Sequence, residues 1–232
     1  MLIAPRLWLF DLDDTLHSAS HAMFSTIDSR MTDYLERHLE LERSEANRLR
    51  RLYWQRYGAT LLGLVRHHGV DPHHFLAETH DFDVAAHVRA ERGLARTLAR
   101  LPGRKVLLTN APRRYADIVL NQIGLASSFS RQVPVEGMRV HGAWRPKPSR
   151  SMLATQLARE GVPGARAVLV EDSLANLKSA KSLGLATVLV TGHKPCRRRP
   201  PYVDLIVGSV LELPRFVAGA AETSERNAKL PA

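Results

Sequence analysis

Asp11, Asp13 and Asp14 follow directly on the apolar run Leu7-Trp8-Leu9-Phe10. Such a run reads as a buried strand, and open α/β sheets bind their ligands at the carboxyl ends of their strands. If strand geometry persists past Phe10, Asp11 and Asp13 point to one side, because side chains alternate with period two. Two carboxylates in one small site repel, so the pair calls for a hard divalent cation or a proton on one carboxyl. An acidic turn or a helix cap is the competing reading.

Three later features sit in the same kind of place. Val106-Leu107-Leu108 ends in Thr109-Asn110, followed by Ala111-Pro112 and a helix, so a hydroxyl and a helix N-terminus meet as at an anion site; helix capping by Thr109 is the alternative. Lys147 stands between Pro146 and Pro148, which fix its backbone and present an ammonium suited to phosphate, unless it is an exposed loop charge. Ala167-Val168-Leu169-Val170 ends in the acidic pair Glu171-Asp172, with Ser173 next and Asn176 one helical turn beyond. Capping by Asp172 and solvation of Glu171 are the plain alternatives there.

These positions need a sheet to gather them. Strands are expected over 7–10, 105–109, 129–133, 167–170, 186–190 and 205–207, and helices over 113–123, 149–160, 174–183 and 211–217. Strands alternating with helices imply an α/β fold: a Rossmann-like, doubly wound, mostly parallel sheet covered on both faces. Residues 18–98 differ, with helical spacing of Met23, Ile27, Met31, Tyr34 and Leu35 and of Leu49, Leu52, Tyr53 and Arg56. The expected organisation is therefore a catalytic core of 1–17 and 99–221, an all-helical insert of 18–98 and a frayed tail of 222–232.

The order acidic pair, Thr, Lys, acidic pair resembles the four motifs of the haloacid dehalogenase-like hydrolase superfamily, in its phosphatase branch. Asp11-Leu12-Asp13-Asp14-Thr15-Leu16, Leu108-Thr109-Asn110, Lys147-Pro148 and Glu171-Asp172-Ser173-Leu174-Ala175-Asn176 carry the likeness over essentially the whole chain. The resemblance implies Asp11 as nucleophile forming an aspartyl-phosphate and Asp13 as general acid and base. It implies Mg²⁺ on Asp11, the Asp13 carbonyl and Asp172, with Glu171 behind them. Thr109, the Asn110 amide and Lys147 would hold the phosphoryl oxygens, while Asn176 would orient Lys147 or Asp172. Asp14 and Thr15 would shape the turn into the insert.

The insert then resembles a mobile cap that closes over the site and contacts the leaving group. The stretch Tyr53 to Leu64, with Asp-Asp-Thr-Leu, Thr109-Asn110 and the region of His80-Asp81, is similar to the pyrimidine 5′-nucleotidase group, which hydrolyses UMP and CMP. Tyr53, Tyr57 and His80 are the candidate contacts to substrate, with burial in the cap an equal prospect for Tyr53. His17 stands where that group usually carries Tyr, a departure expected to alter loop contacts and not the chemistry. His67, His68, His73, His74 and His80 lack a convincing metal-ligand spacing and read as solvated, with His80, near the return from cap to core, the one to test.

The rest of the chain is consistent with a small-molecule enzyme. Its 232 residues are 44% hydrophobic and 24% charged, ordinary values for a globular protein. A net charge of +10 favours acidic partners. The cationic residues are spread along the helices, however, and the one dense run, Arg197-Arg198-Arg199, lacks interleaved aromatics and reads as a solvated loop. The expected partner is a small phosphorylated metabolite, a nucleoside monophosphate first, with no nucleic acid and no membrane. One cysteine, Cys196, and no leader pattern fit a cytoplasmic location. The rival readings are a sugar phosphate or phosphoglycolate phosphatase, a phosphomutase, and a basic nucleic-acid-binding or regulatory protein with an idle core.

Overall fold

The computed structural model describes residues 5–192 and 198–217. Strand β1 (Leu7–Phe10) enters first, followed by the helices α1 (Met23–Leu39), α2 (Arg43–Tyr57), α3 (Thr60–His68), α4 (Pro72–Thr79), α5 (Val84–His87) and α6 (Leu94–Arg100). Then come β2 (Arg104–Leu108), α7 (Arg113–Gln122), β3 (Arg131–Val133), β4 (Arg139–Val140) and β5 (Ala143–Trp144). The chain continues through α8 (Arg150–Glu160), β6 (Ala167–Glu171), α9 (Leu174–Lys181), β7 (Ala186–Val190) and β8 (Leu205–Val207). Among the described residues no helix is long and apolar enough to cross a membrane.

Six strands form one sheet in the order β3-β2-β1-β6-β7-β8, and every neighbouring pair is parallel. The chain builds outward from β1 in one direction, then crosses back and builds outward from β6 in the other. The β1/β6 boundary is thus the switch point of the sheet, where a crevice opens beyond the strand ends. Strand alternation sorts the core: Trp8 and Phe10 pack on one face with Leu98, Tyr115 and Val119, while Leu7 and Leu9 pack on the other with Met152, Leu153 and Leu177. Burial on both faces explains why the strands read as continuous apolar runs.

A third cluster, built around Tyr34, Leu35, Tyr53, Leu64 and Phe75, holds the cap together. The ends of the expected 18–98 insert pack elsewhere. Met23 and Ile27 at one end, and Val84, Leu94 and Leu98 at the other, bury into the sheet-side core. In the opposite sense, Val135 and Trp144 from the core segment pack into the cap cluster. Trp144 reaches it from a two-stranded β4-β5 hairpin, which the sequence reading missed because two-residue strands leave no periodic signal.

The last expected helix is a 3₁₀ stretch, Val210–Phe216, with Pro214 inside it. Proline lacks the N–H that an α-helical turn needs, and a Ser209-Glu212 capping box starts the segment. Of the basic run, Arg199 donates to the Asp204 carbonyl at 2.9 Å. Arg197, Cys196 and the tail 222–232 lie outside the described residues.

Candidate active site

Asp11 follows β1 directly and its amide donates to the Val170 carbonyl of β6 at 3.0 Å, which holds it at the switch point. Beside it, β6 ends in Glu171, and Asp172 stands at the rim. Carboxylate oxygens of Asp11, Glu171 and Asp172 all lie within 4.8 Å of one another. Lys147 Nζ enters this acidic cluster, 2.6 Å from Asp11 Oδ1 and 2.8 Å from Glu171 Oε2. The three residues of that ion-paired group are buried, with Glu171 at 0% exposure.

Burial and mutual repulsion set the electrostatics. Desolvation, then the charge of Glu171, pushes the Asp11 carboxyl well above its usual value, although Lys147 works the other way. Burial also raises Glu171, and desolvation with Asp11 nearby pushes Asp172 up to about 6. Lys147 is held protonated by Asp11 and Glu171, which outweigh its own desolvation. Three carboxylates face one ammonium, so the site has room in charge for a further divalent cation. The donors are all hard oxygens, the set that suits Mg²⁺, and protons compete for Asp172 below about pH 6.

Asp13 sits apart from this group, in a different environment. Its Oδ1 receives the Tyr115 hydroxyl at 2.7 Å and the His17 Nε2 at 2.8 Å. Burial and the adjacent Asp13 keep the Tyr115 phenol protonated, so it must donate. The His17 side chain is fully buried and its Nδ1 has no partner among the described residues. An unpaired lone pair is cheaper to bury than an unpaired N–H, so the proton belongs on Nε2, which donates to Asp13. The departure at His17 was expected to touch only loop contacts. It lies instead on the second carboxylate of the motif.

Asp14 takes a left-handed backbone, φ 55°, and its carboxylate receives the Ser20 amide at 2.8 Å as well as the Ser20 hydroxyl. That matches the expected turn into the helical segment. Thr15, expected beside it, is buried, and its hydroxyl has no partner among the described residues. Thr109 sits just past β2, buried, its Oγ1 accepting from the Ala111 amide at 3.0 Å. The Asn110 side chain grips the backbone of Lys147 at both ends: Nδ2 donates to the Lys147 carbonyl at 3.1 Å, and Oδ1 accepts the Lys147 amide at 2.9 Å. Sequence reasoning assigned only the Asn110 amide; the clamp joins two loops 37 residues apart and has no local signal. Asn176 is buried on α9, but no hydrogen bond joins it to Lys147 or Asp172 among the described residues.

The cap candidates divide. Tyr53 is buried, 7% exposed, its ring so close over Gly63 that a Cβ there would fall 2.1 Å away, and its hydroxyl pairs with His68 at 2.7 Å. It packs within the cluster of inserted helices. Tyr57 ends α2, hydrogen-bonded to His67 at 2.6 Å, and the next residue, Gly58, abuts the lysine loop. A Cβ on Gly58, whose φ is +80°, would lie 2.8 Å from Pro148 Cδ. Only glycine allows that close approach of cap to core. His80 sets its ring edge-on to Tyr115 at 5.7 Å, and burial lowers it to about 4, so it stays neutral. It adjoins the Asp13 environment by way of Tyr115.

Comparison with known proteins agrees with this geometry. Over 205 residues the chain is 23% identical to Phosphate metabolism protein 8 of Saccharomyces cerevisiae, covering 80% of this chain and 61% of that protein. It is 25% identical over 203 residues to a phosphoglycolate phosphatase of Pseudomonas savastanoi pv. phaseolicola, covering 81% and 70%. The chain thus spans only 61% of the yeast relative's length. Among solved structures, CbbY from Rhodobacter sphaeroides in complex with phosphate superimposes with a TM-score of 0.63 at 20% identity, over 93% of this chain and 98% of that one, which shows a shared fold. The model of the haloacid dehalogenase-like hydrolases matches residues 5–184, and with its motif residues gathered at the switch point of the sheet the chain belongs to that family.

Proposed function

We propose that this hydrolase is a Mg²⁺-dependent phosphomonoesterase working through an aspartyl-phosphate on Asp11, with pyrimidine nucleoside 5′-monophosphates as its substrates. The observation that carries the chemistry is the separation of the two motif carboxylates into unlike surroundings. Asp11 is paired to Lys147 at 2.6 Å, whereas Asp13 Oδ1 accepts from the Tyr115 hydroxyl and from His17 Nε2. Groups whose environments differ in this way take different protonation roles.

Asp11 attacks phosphorus and the bond to the leaving alkoxide breaks; Asp13 delivers the proton that the alkoxide takes. Asp13 then removes a proton from the water that cleaves the acyl phosphate, which returns Asp11 as a carboxylate. Lys147 neutralises charge on the phosphoryl oxygens, with Thr109 and the Asn110 amide as further donors. Asp11, the Asp13 carbonyl and Asp172 would hold Mg²⁺, which when bound supplies charge neutralisation and orients the phosphoryl group. Asn110 fixes Lys147 through its clamp.

Tyr115 and His17 occupy Oδ1 of Asp13 and leave Oδ2 for the proton in transit. Tyr115→Phe keeps the ring and removes one donor. The expected result is a fall of about tenfold in kcat/KM for alkyl phosphates, with little change for p-nitrophenyl phosphate, whose leaving group needs no acid. Equal losses on both substrates would remove this role.

The substrate part of the reading rests on the likeness of residues 53–64 to the nucleotidase group and on Tyr57 lying next to the cap-core contact at Gly58. A second reading, phosphoglycolate, is favoured by the likeness to phosphoglycolate phosphatase. Phosphate release from a panel of nucleoside monophosphates, sugar phosphates and phosphoglycolate with Mg²⁺ separates them. We expect kcat/KM to be highest for UMP and CMP; flat selectivity, or a preference for phosphoglycolate, ends the nucleotidase reading.

A further inference from the structure

The cap carries a second cluster of ligand-type side chains, away from the acidic pocket. His38 lies in the last turn of α1, while His74 and Glu78 lie one turn apart on α4. One ligand atom from each comes within 4.8 Å of the others. Glu78 Oε1 stands 3.3 Å from His38 Nε2 and 3.0 Å from His74 Nε2. Around Zn²⁺, with bonds of about 2.0–2.1 Å, neighbouring ligand atoms of a tetrahedron lie about 3.4 Å apart. Both measured separations are close to that edge without any rearrangement of the helices.

The surroundings orient the three donors. Tyr34 pairs through its hydroxyl with His74 Nδ1 at 3.1 Å, and its ring stacks on His38 with centroids 4.1 Å apart. A partner on the remote ring nitrogen is what metal-binding histidines characteristically have, since it fixes the ring and leaves Nε2 for the metal. Arg37 takes Glu78 Oε2 at 2.7 Å, so Oε1 alone faces the imidazoles. Partial exposure of His38, His74 and Glu78 leaves an entry path and room for water as a fourth ligand.

We propose that His38, His74 and Glu78 form a binding site for a borderline transition-metal ion of the Zn²⁺ class. Two imidazoles and one carboxylate select against Mg²⁺, which prefers oxygen ligands, so this site and the acidic pocket take different ions. Binding takes the Nε2 lone pair of each neutral imidazole, so the ring proton resides on Nδ1, where that of His74 can be donated to the Tyr34 hydroxyl. The ion would tie the far end of α1, whose near end is buried beside the sheet, to α4, which leads back toward the core at His80. The site would therefore staple the outgoing and returning arms of the cap.

The test uses the full chain without an affinity tag, in excess Mg²⁺ so that the acidic pocket is occupied. Zn²⁺ is titrated calorimetrically, and Co²⁺ is followed by visible absorption as a reporter of nitrogen and oxygen coordination. We expect one Zn²⁺ per chain, a higher melting temperature with Zn²⁺, and a Co²⁺ band. In the double variant His38→Gln with His74→Gln, affinity should fall at least about tenfold and both signals vanish, while helical circular dichroism stays unchanged. Tyr34→Phe should weaken Zn²⁺ by about tenfold without removing a ligand. Equal Zn²⁺ affinity and stoichiometry in wild type and double variant would put the ion elsewhere and overturn the proposal, as would no Zn²⁺ binding by the wild type. If the double variant loses its helical signal, His74→Gln alone, at a half-exposed side chain, gives the same two outcomes.

Discussion

Asp11→Asn should lower Mg²⁺-dependent phosphate release by about 10⁴-fold or more, because it removes the atom that forms the covalent intermediate and not merely a contact. The variant should nevertheless fold. Asp11 is buried against Glu171, and its carboxyl is raised well above the usual value, so its charge costs stability in the metal-free protein. The sign follows from the direction of the shift: stability due to this group is full below its unfolded-state value and is lost as pH rises through the folded one. Replacing it with Asn removes that loss and leaves Lys147 paired with Glu171 at 2.8 Å. Without metal, at neutral pH, the melting temperature of Asp11→Asn should equal or exceed that of the wild type, and its decline with rising pH should be shallower. Unchanged turnover in a folded variant would exclude the aspartyl-phosphate route.

The placement of the candidate site was legible in the sequence to the extent that it depends on strand ends. Each apolar run was short, buried on both faces and followed by its polar residue, so Asp11, Thr109 and Glu171 could be located from alternation and run length alone. Lys147 was visible through its two prolines, which left few conformations for the loop. What was hidden depends on contacts between residues distant in sequence. Tyr115 lies 102 residues from Asp13, on the buried face of α7, and its apolar spacing gave no reason to separate it from its core neighbours. The cap histidines were read from their sequence spacing, whereas His74 finds its partner His38 only because α1 and α4 pack together. The same holds for Leu94 and Leu98, which have helical periodicity wherever they pack, and only the tertiary structure assigns their face to the sheet-side core.

Lys147→Met should abolish phosphate release and also destabilise the protein, and the two effects can be separated. Among the described residues the ammonium is the cation paired with the buried carboxylates of the pocket, 2.6 Å from Asp11 and 2.8 Å from Glu171. Removing one partner of a buried ionic group leaves uncompensated charge and costs about 3–5 kcal/mol. For a chain of this size that is a fall of about 10 °C in melting temperature, measured without divalent metal at neutral pH. The deficit should shrink as pH falls, because both buried carboxyls have raised values and neutralise by taking up protons. Mg²⁺ should also reduce it, by supplying positive charge at the same oxygens. Adding Glu171→Gln to Lys147→Met removes one of the stranded carboxylates, so most of the melting temperature should return. Activity should not return, because the phosphoryl oxygens still lack their ammonium. A double variant that regains stability and turnover together would make Lys147 a structural counter-ion only, whereas stability without turnover assigns it to the transition state.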